Sequence, residues 1–218
     1  MYNVGLALLD FALIVPAIIL HEVAHGYVAY LLGDPTAKDR GRLTLNPIAH
    51  MDIWGTVVMP VLLLLASGGK FAFGYAKPVP INPYRMTKTT PETGMLLTGA
   101  AGPVTNIVLA LVVAGLYHVM LLVGGIPDIV MSSLSFFVLI NLVLAFFNLI
   151  PIPPLDGSRV VQRFLSGRAR EMYASIEPYG FMIVILVVFV APQFLGIDLF
   201  QTYLYATAVP IARLLGTM

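Results

Sequence analysis

Long apolar stretches separated by short polar loops dominate this chain from its first residues onward. A bilayer core about 30 Å thick needs about 20 apolar residues for each helix that crosses it. The stretches at residues 4–32, 93–123, 131–151 and 176–196 meet or approach this length. We therefore predict that each of them crosses a membrane as a helix.

Two shorter apolar stretches, residues 53–67 and 199–215, are predicted to be accessory segments. The first contains Pro60 and is marginal in length, so it is either a tilted crossing helix or a re-entrant segment. Residues 70–80 alternate in polarity and end in prolines, which indicates an extended or β-like element. The pattern predicts an all-α polytopic membrane protein, a single domain over residues 1–218 with about five to six transmembrane or re-entrant segments.

Composition supports this class. The chain is 59% hydrophobic and 11% charged, with a mean hydropathy of +0.91, whereas a soluble domain carries roughly a quarter charged residues. Because there is no cysteine, disulfides and thiolate metal ligands are excluded. The net charge of +1 and the absence of a basic run give no sign of a nucleic-acid partner.

The first apolar stretch carries the sequence His21-Glu22-Val23-Ala24-His25. Residues four apart lie on one face of a helix, so His21 and His25 can offer two imidazoles to one Zn²⁺, with Glu22 beside them as a general base. Ionisable groups inside a bilayer are costly and usually face a bundle interior where they have a function. A zinc-protease motif is therefore favoured over a chance match.

A catalytic zinc usually has three protein ligands and an open water position. Asp156 is the best third candidate, because prolines end the helix at 131–151 just before it and Gly157 permits a sharp turn. Such a break can direct Asp156 back into the bundle, although an Asp-Gly turn at a helix exit is also an ordinary structural feature. The other candidates are Asp10, His50, Asp52, His118, Asp128, Asp198 and the remaining glutamates.

Two asparagines and a polar pair have open interpretations. Asn148 and Asn106 could contact substrate backbone or a developing oxyanion, or could join helices by hydrogen bonds. His50 and Asp52 could form a second metal site, or gate or line the cavity. Segment 70–80 could pair with substrate as an added strand, or simply cover the cytoplasmic side.

Basic residues in short loops predict the orientation, since such loops are retained in the cytoplasm. The loop after residues 131–151 contains several basic residues, whereas the turn 124–130 before that helix contains no basic residue. Both loops flanking residues 53–67 are also basic, which favours a re-entrant path for that segment. These loops place the carboxyl end of the first helix on the cytoplasmic side. The basic residues concerned are Lys38, Arg40, Arg42, Lys70, Lys77, Arg85, Lys88, Arg159, Arg163, Arg168 and Arg170.

Five sequence blocks give a more specific indication: HEVAHGYVAYLLGD, LNPIAHMDIWGT, FGYAKPVPINP, AGPVTN and NLIPIPPLDGSRV. In this order they resemble the site-2 protease family of intramembrane zinc metalloproteases, peptidase family M50, in a compact form without a PDZ domain. The resemblance implies a three-helix catalytic core formed by residues 4–32, 93–123 and 131–151. It implies one catalytic Zn²⁺ held by His21, His25 and Asp156, with Glu22 as the catalytic base and Asn148 near the substrate.

The expected function is hydrolysis of peptide bonds in transmembrane segments of membrane proteins. The expected location is the cell membrane, with several crossings and the active site towards the cytoplasm. An alternative is a non-proteolytic membrane metal-binding protein or a metal transporter, because buried ionisable groups also mark ion pathways. Few further polar residues lie in the outer half of the predicted helices, which disfavours the transporter.

Overall fold

The structure is a computed structural model that describes residues 4–66, 74, 76–196 and 198–218. Within these residues the chain is helical and contains no β-strand. The α-helices are α1 Val4–Leu31, α2 Thr36–Asp39, α3 Pro47–His50, α4 Met59–Ala66, α5 Pro91–Val123, α6 Asp128–Asn148, α7 Asp156–Gln162, α8 Gly167–Ile176, α9 Gly180–Ile185, α10 Ala191–Leu195, α11 Leu199–Ala206 and α12 Ala208–Leu214. Short π-helical segments span Ile53–Val58 and Leu186–Val190, and short 3₁₀ segments span Pro83–Arg85 and Glu177–Tyr179.

Helices α1, α5 and α6 pack against one another, and α7 packs on α5. Four helical stretches of the described residues are long and apolar enough to cross a membrane: Ala12–Leu31, Pro91–Val123, Asp128–Asn148 and Gly167–Val188. The predicted all-α polytopic membrane architecture is therefore confirmed.

The two longest core helices differ slightly from their predicted bounds. Helix α5 begins at Pro91 because the Thr90 side chain accepts a hydrogen bond from the Thr93 amide, and proline fits the first helical turn. Helix α6 begins at Asp128 and ends at Asn148, so it lies three residues earlier at each end than the predicted 131–151. The proline-rich segment after it cannot continue a helix.

The predicted accessory segment 53–67 is a continuous helical run from Ile53 to Ala66. Asp52 begins it by accepting a hydrogen bond from the Gly55 amide at 2.8 Å. At 1.5 Å per residue the run is about 21 Å long, shorter than a bilayer core. Its re-entrant path stays a prediction. Most of the predicted extended element 70–80 lies outside the described residues, and residues 76–82 have neither helix nor strand structure.

The carboxyl-terminal segments are longer and more broken than their apolar pattern indicates. The predicted helix 176–196 starts earlier, at Gly167, as a helical run through Leu195. The predicted segment 199–215 is divided at Thr207, whose φ of −120° and ψ of −74° separate α11 from α12. Helix α12 then packs on α6 and completes a buried apolar cluster. The cluster consists of Ala110, Ala114, Val138, Leu142, Ala208 and Ala212.

Candidate active site

Three side-chain atoms from distant parts of the chain meet in the core of the bundle. His21 Nε2 lies 3.0 Å from His25 Nε2, and Asp156 Oδ2 lies 3.1 Å from the first and 3.2 Å from the second. These side chains belong to residues that are 6%, 4% and 7% exposed. Ligands bonded to a tetrahedral zinc at 2.0–2.1 Å are about 3.3 Å apart, so the triangle has nearly the dimensions of one face of such a site.

The close approach of α5 to α1 depends on Gly102. A methyl group on this residue would lie 2.5 Å from His21 Cε1 and from His25 Nε2, and 2.6 Å from His21 Nε2. Only a residue without a side chain therefore leaves the two imidazoles in their observed positions. At Gly102 the two histidines therefore pack directly against the backbone of α5.

Asp156 reaches the histidines because the chain reverses after α6. The segment from Leu149 to Leu155 has no regular helix, and Asp156 is the first residue of α7. Gly99 allows α7 to lie against α5, since a methyl group there would be 2.9 Å from Arg159 Cβ. Gly157 in turn lies directly against the Leu149 carbonyl. Gly99 and Gly157 thus allow the turn that the prolines predict to pack against α5, with Asp156 beside the histidines.

Hydrogen bonds define which imidazole nitrogens carry protons. His25 Nδ1 donates to the Thr98 carbonyl at 2.6 Å, because a carbonyl can only accept. His21 Nδ1 lies 2.5 Å from Asn106 Oδ1 and donates to it. In the neutral rings both Nε2 atoms then have free lone pairs. Two lone pairs and a carboxylate oxygen face one another with no proton between them, an arrangement that suits a bound cation such as Zn²⁺.

Asp156 is electrostatically matched to this position. Burial alone would raise the pKa of its carboxyl group, but in the metal-free site hydrogen bonds and charge from His21 and His25 in their protonated forms hold that pKa well below its ordinary value. Arg159 Nη1 lies 4.0 Å from the other carboxylate oxygen, Oδ1. Asp156 is therefore an anion at neutral pH, as a metal ligand must be.

Glu22 completes the polar group. His21, Glu22 and His25 each offer one ligand atom, and these atoms lie within 4.8 Å of one another. The Val79 amide donates to Glu22 Oε2 at 3.0 Å. Val79 packs beside the same helix because Gly26 has no side chain: a methyl group there would lie 2.7 Å from Val79 Cγ1. The segment 76–82 thus holds one oxygen of the carboxylate.

The remaining predicted site residues have different surroundings. Asn106 uses its oxygen for His21, and its Nδ2 donates to Asn141 Oδ1 at 2.8 Å and to the Ala17 carbonyl at 3.4 Å. Asn148 Nδ2 donates to the Leu144 carbonyl of its own helix at 2.9 Å. Their roles towards substrate or an oxyanion stay predictions.

His50 and Asp52 do not gather into a second metal cluster in the described part of the chain. The possible metal ligands that come together there are His21, Glu22, His25 and Asp156, and neither His50 nor Asp52 is among them. His50 Nε2 instead lies 2.8 Å from the Thr44 carbonyl, and Asp52 caps the helical run that follows it. Both residues therefore shape the loop between α1 and the accessory segment.

Sequence reasoning missed four contributors to the site: the Thr98 carbonyl, the Val79 amide, Asn141 and Arg159. The first two are backbone groups, which no residue type identifies in advance. Asn141 did have a signal, since it is an amide in the middle of an apolar helix and must find a partner there. Arg159 had one as well, because it follows Asp156 by three residues on a helix.

Comparisons with known proteins agree with this architecture. The family model of peptidase family M50 matches residues 125–191, which include α6 and Asp156. The chain is 42% identical over 180 residues to "Putative zinc metalloprotease YwhC" of Bacillus subtilis, covering 79% of this chain and 76% of that protein. It is 28% identical over 183 residues to "Putative zinc metalloprotease Rip2" of Mycolicibacterium smegmatis, covering 84% of this chain and 67% of that protein.

A more distant relative is "Zinc metalloprotease MJ0392" of Methanocaldococcus jannaschii, 28% identical over 159 residues that cover 72% of this chain and 34% of that protein. No solved structure matches the chain significantly. The bundle with its buried histidine and carboxylate group is that of a membrane-embedded metalloprotease. The chain belongs to peptidase family M50, the site-2 protease family, and is a zinc metalloprotease.

Proposed function

We propose that this protein is an intramembrane endopeptidase that cleaves peptide bonds in or near transmembrane segments of other membrane proteins. In this proposal one Zn²⁺ is held by His21, His25 and Asp156. The convergence of their three acceptor atoms within 3.2 Å of one another is the observation that carries it. The nitrogen and oxygen donor set is one that zinc commonly uses.

The location of the site supports a substrate within the membrane. His21 lies ten residues before the end of α1, or about 15 Å along a helix that is apolar enough to cross a bilayer. The surfaces of α5 that face outward are also apolar, including Val104, Val108 and Val112. A transmembrane helix of another protein could approach such a surface without exposing polar groups to lipid.

Zinc, when bound, polarises the scissile carbonyl and lowers the pKa of a water molecule. Glu22 then accepts a proton from the attacking water and passes it to the leaving amine. The Val79 amide holds Glu22 Oε2, which fixes the direction of the carboxylate. Asn148, at the carboxyl end of α6, is the proposed contact for substrate backbone or the oxyanion. One N–H of its amide donates to the Leu144 carbonyl, which leaves the second N–H for that contact.

We further propose that the site opens towards the cytoplasm of the cell in which the protein spans the membrane. Basic residues concentrate in the loops that follow α1 and α6, and such loops are retained on the cytoplasmic side. The carboxyl end of α1 and the turn that carries Asp156 would then share that side. Residues 1–218 act as one catalytic domain in this scheme.

The decisive experiment compares purified wild type with Glu22→Gln in detergent or vesicles. Wild type should bind one zinc per chain and cleave a single-pass membrane substrate, and a chelator should stop cleavage. Glu22→Gln should keep the zinc and lose cleavage by a factor on the order of 10² to 10⁴, the contribution of general acid-base catalysis. Cleavage at the wild-type rate by the variant would contradict the proposed mechanism, and metal flux into sealed vesicles without cleavage would favour a transporter.

A further inference from the structure

Two buried amide side chains link the three core helices behind His21. Asn106 on α5 and Asn141 on α6 are each fully buried. Asn106 Oδ1 lies 2.5 Å from His21 Nδ1, and Asn106 Nδ2 donates to Asn141 Oδ1 at 2.8 Å. A buried amide is costly unless its hydrogen-bonding groups are satisfied, so a pair placed here needs a compensating role.

Two backbone carbonyls fix the direction of this chain of hydrogen bonds. Asn141 Nδ2 donates to the Phe137 carbonyl at 2.8 Å, and Asn106 Nδ2 also lies 3.4 Å from the Ala17 carbonyl. Since a carbonyl can only accept, each amide must present its nitrogen there and its oxygen on the other side. Asn141 therefore offers an acceptor to Asn106, and Asn106 offers one to His21. Only a protonated Nδ1 on His21 satisfies this order.

The two histidines of the site are oriented by different means. His25 donates to the Thr98 carbonyl, a backbone group that a helix already holds in place. His21 depends on an amide side chain, which could turn over if nothing held it. The contact from Asn141 supplies that restraint from a third helix. The orientation of His21 is thus linked to the packing of α6.

We propose that Asn106 and Asn141 are positioning residues that hold His21 with Nδ1 protonated and Nε2 free for the metal. The proposal rests on the proposed function, because it takes His21 as a zinc ligand. Partners of ligating histidines generally contribute 10- to 100-fold to metal affinity or activity. Asn106 should contribute within this range, and Asn141, which acts through Asn106, should contribute less.

The test measures zinc affinity of the full-length protein in detergent by competition with a chromophoric chelator. Asn106→Leu and Asn106→Asp both keep the approximate size of the side chain, but only aspartate keeps an acceptor for His21 Nδ1. We expect leucine to weaken zinc binding by at least about tenfold and aspartate to retain most of it, since carboxylate partners of ligating histidines are common. A role in packing alone predicts the opposite order, because leucine suits an apolar core better than a carboxylate does.

Asn141→Leu provides an independent variant, since the hydrogen bonds of Asn141 go to Asn106 and to the Phe137 carbonyl. It should weaken zinc binding several-fold, whereas Val138→Ala, a buried change one turn earlier on α6, should leave the zinc dissociation constant unchanged even if it lowers the melting temperature. If Asn106→Leu fails to fold, the comparison of Asn141→Leu with Val138→Ala still decides the matter.

Either of two results would overturn the proposal: zinc affinity in Asn106→Asp that is no higher than in Asn106→Leu, or equal weakening by Asn141→Leu and Val138→Ala. Failure of the proposed function would be distinct, because wild type itself would then bind no stoichiometric zinc or cleave no membrane substrate. If wild type binds and cleaves while the amide variants match it in zinc affinity, this inference alone is wrong.

Discussion

Helix α5 passes through two different environments along its length. Between Thr98 and Asn106 it faces the histidines of α1 and the start of α7, and its contacts are hydrogen bonds and backbone surfaces. Between Ala110 and Ala114 it faces α6 and the apolar cluster that α12 completes. The first region leaves no space for an added methyl group at Gly99 or Gly102. Gly115, on the exposed face next to the second region, has no neighbour within 4 Å of such a group.

The two regions therefore use small residues for different purposes. In the apolar region small side chains let helices approach, and van der Waals packing is the main gain because lipid is as apolar as the interface. In the site region the glycines permit specific distances between groups that could hold a metal. We expect substitutions in the site region to change zinc binding and catalysis, and those in the apolar region to change stability.

The largest effect should come from Gly102→Ala. Its methyl group would lie 2.5 Å from atoms of both imidazoles, far inside van der Waals contact, so the histidines must move and the triangle of ligand atoms must open. Zinc affinity should fall by at least on the order of 100-fold, the upper end of the range for partners that only orient ligands. Competition with a chelator measures this loss.

Gly115→Ala is the matched control on the same helix. It adds the same methyl group in open space and improves helix propensity, so zinc affinity should equal that of wild type. Comparable losses in the two variants would mean that α5 as a whole, rather than the surface at Gly102, determines the site.

A smaller effect is expected from Gly26→Ala, which acts on Glu22 and spares the histidines. The added methyl group would lie 2.7 Å from Val79 Cγ1 and 2.8 Å from Leu43 Cδ2, and should displace the segment whose amide binds Glu22. A hydrogen bond to a charged group contributes about 1.5–3 kcal/mol, so cleavage should slow by about tenfold or more while zinc affinity stays the same. Steady-state cleavage rates and chelator competition, measured on one preparation, distinguish a loss of cleavage from a loss of zinc affinity.

The second variant for this prediction is Gly26→Ala combined with Val79→Ala. Removing Val79 Cγ1 returns space to the added methyl group while the amide of residue 79 remains, so part of the lost rate should return. A double variant as slow as Gly26→Ala would show that the obstruction lies at Leu43 or Ala37 instead, the other two side chains near that position.

The same contrast explains what the sequence could predict. The apolar region follows from hydropathy alone, and the predicted helices 4–32 and 93–123 differ by one or two residues from α1 and α5. Helix α8 was missed as the start of the fourth crossing because Arg168, Arg170 and Glu171 make its first turns polar. Hydropathy finds the apolar part of a helix, not the point where the helix begins.

Residues of the site could be predicted only where the residue type and the sequence pattern around it together indicate a role. The HExxH spacing indicates His21, Glu22 and His25, and the proline break followed by glycine indicates Asp156, which the structure brings together with the histidines. Which amide would meet which histidine depends on how α5 and α6 pack across the bundle. No spacing within one helix specifies that Asn106, rather than Asn148, lies against His21.

The smallest effect on the site should come from Leu142→Ala, in the apolar region. Leu142 is almost fully buried beside Val138 and next in sequence to Asn141. In soluble cores such a change costs about 2–5 kcal/mol, and we expect a smaller loss here because lipid can solvate an apolar helix surface. Thermal unfolding should occur at a lower temperature with zinc affinity unchanged. If Leu142→Ala instead weakened zinc binding as much as Asn141→Leu does, α6 would act on His21 through packing, and the two regions of α5 would not be independent.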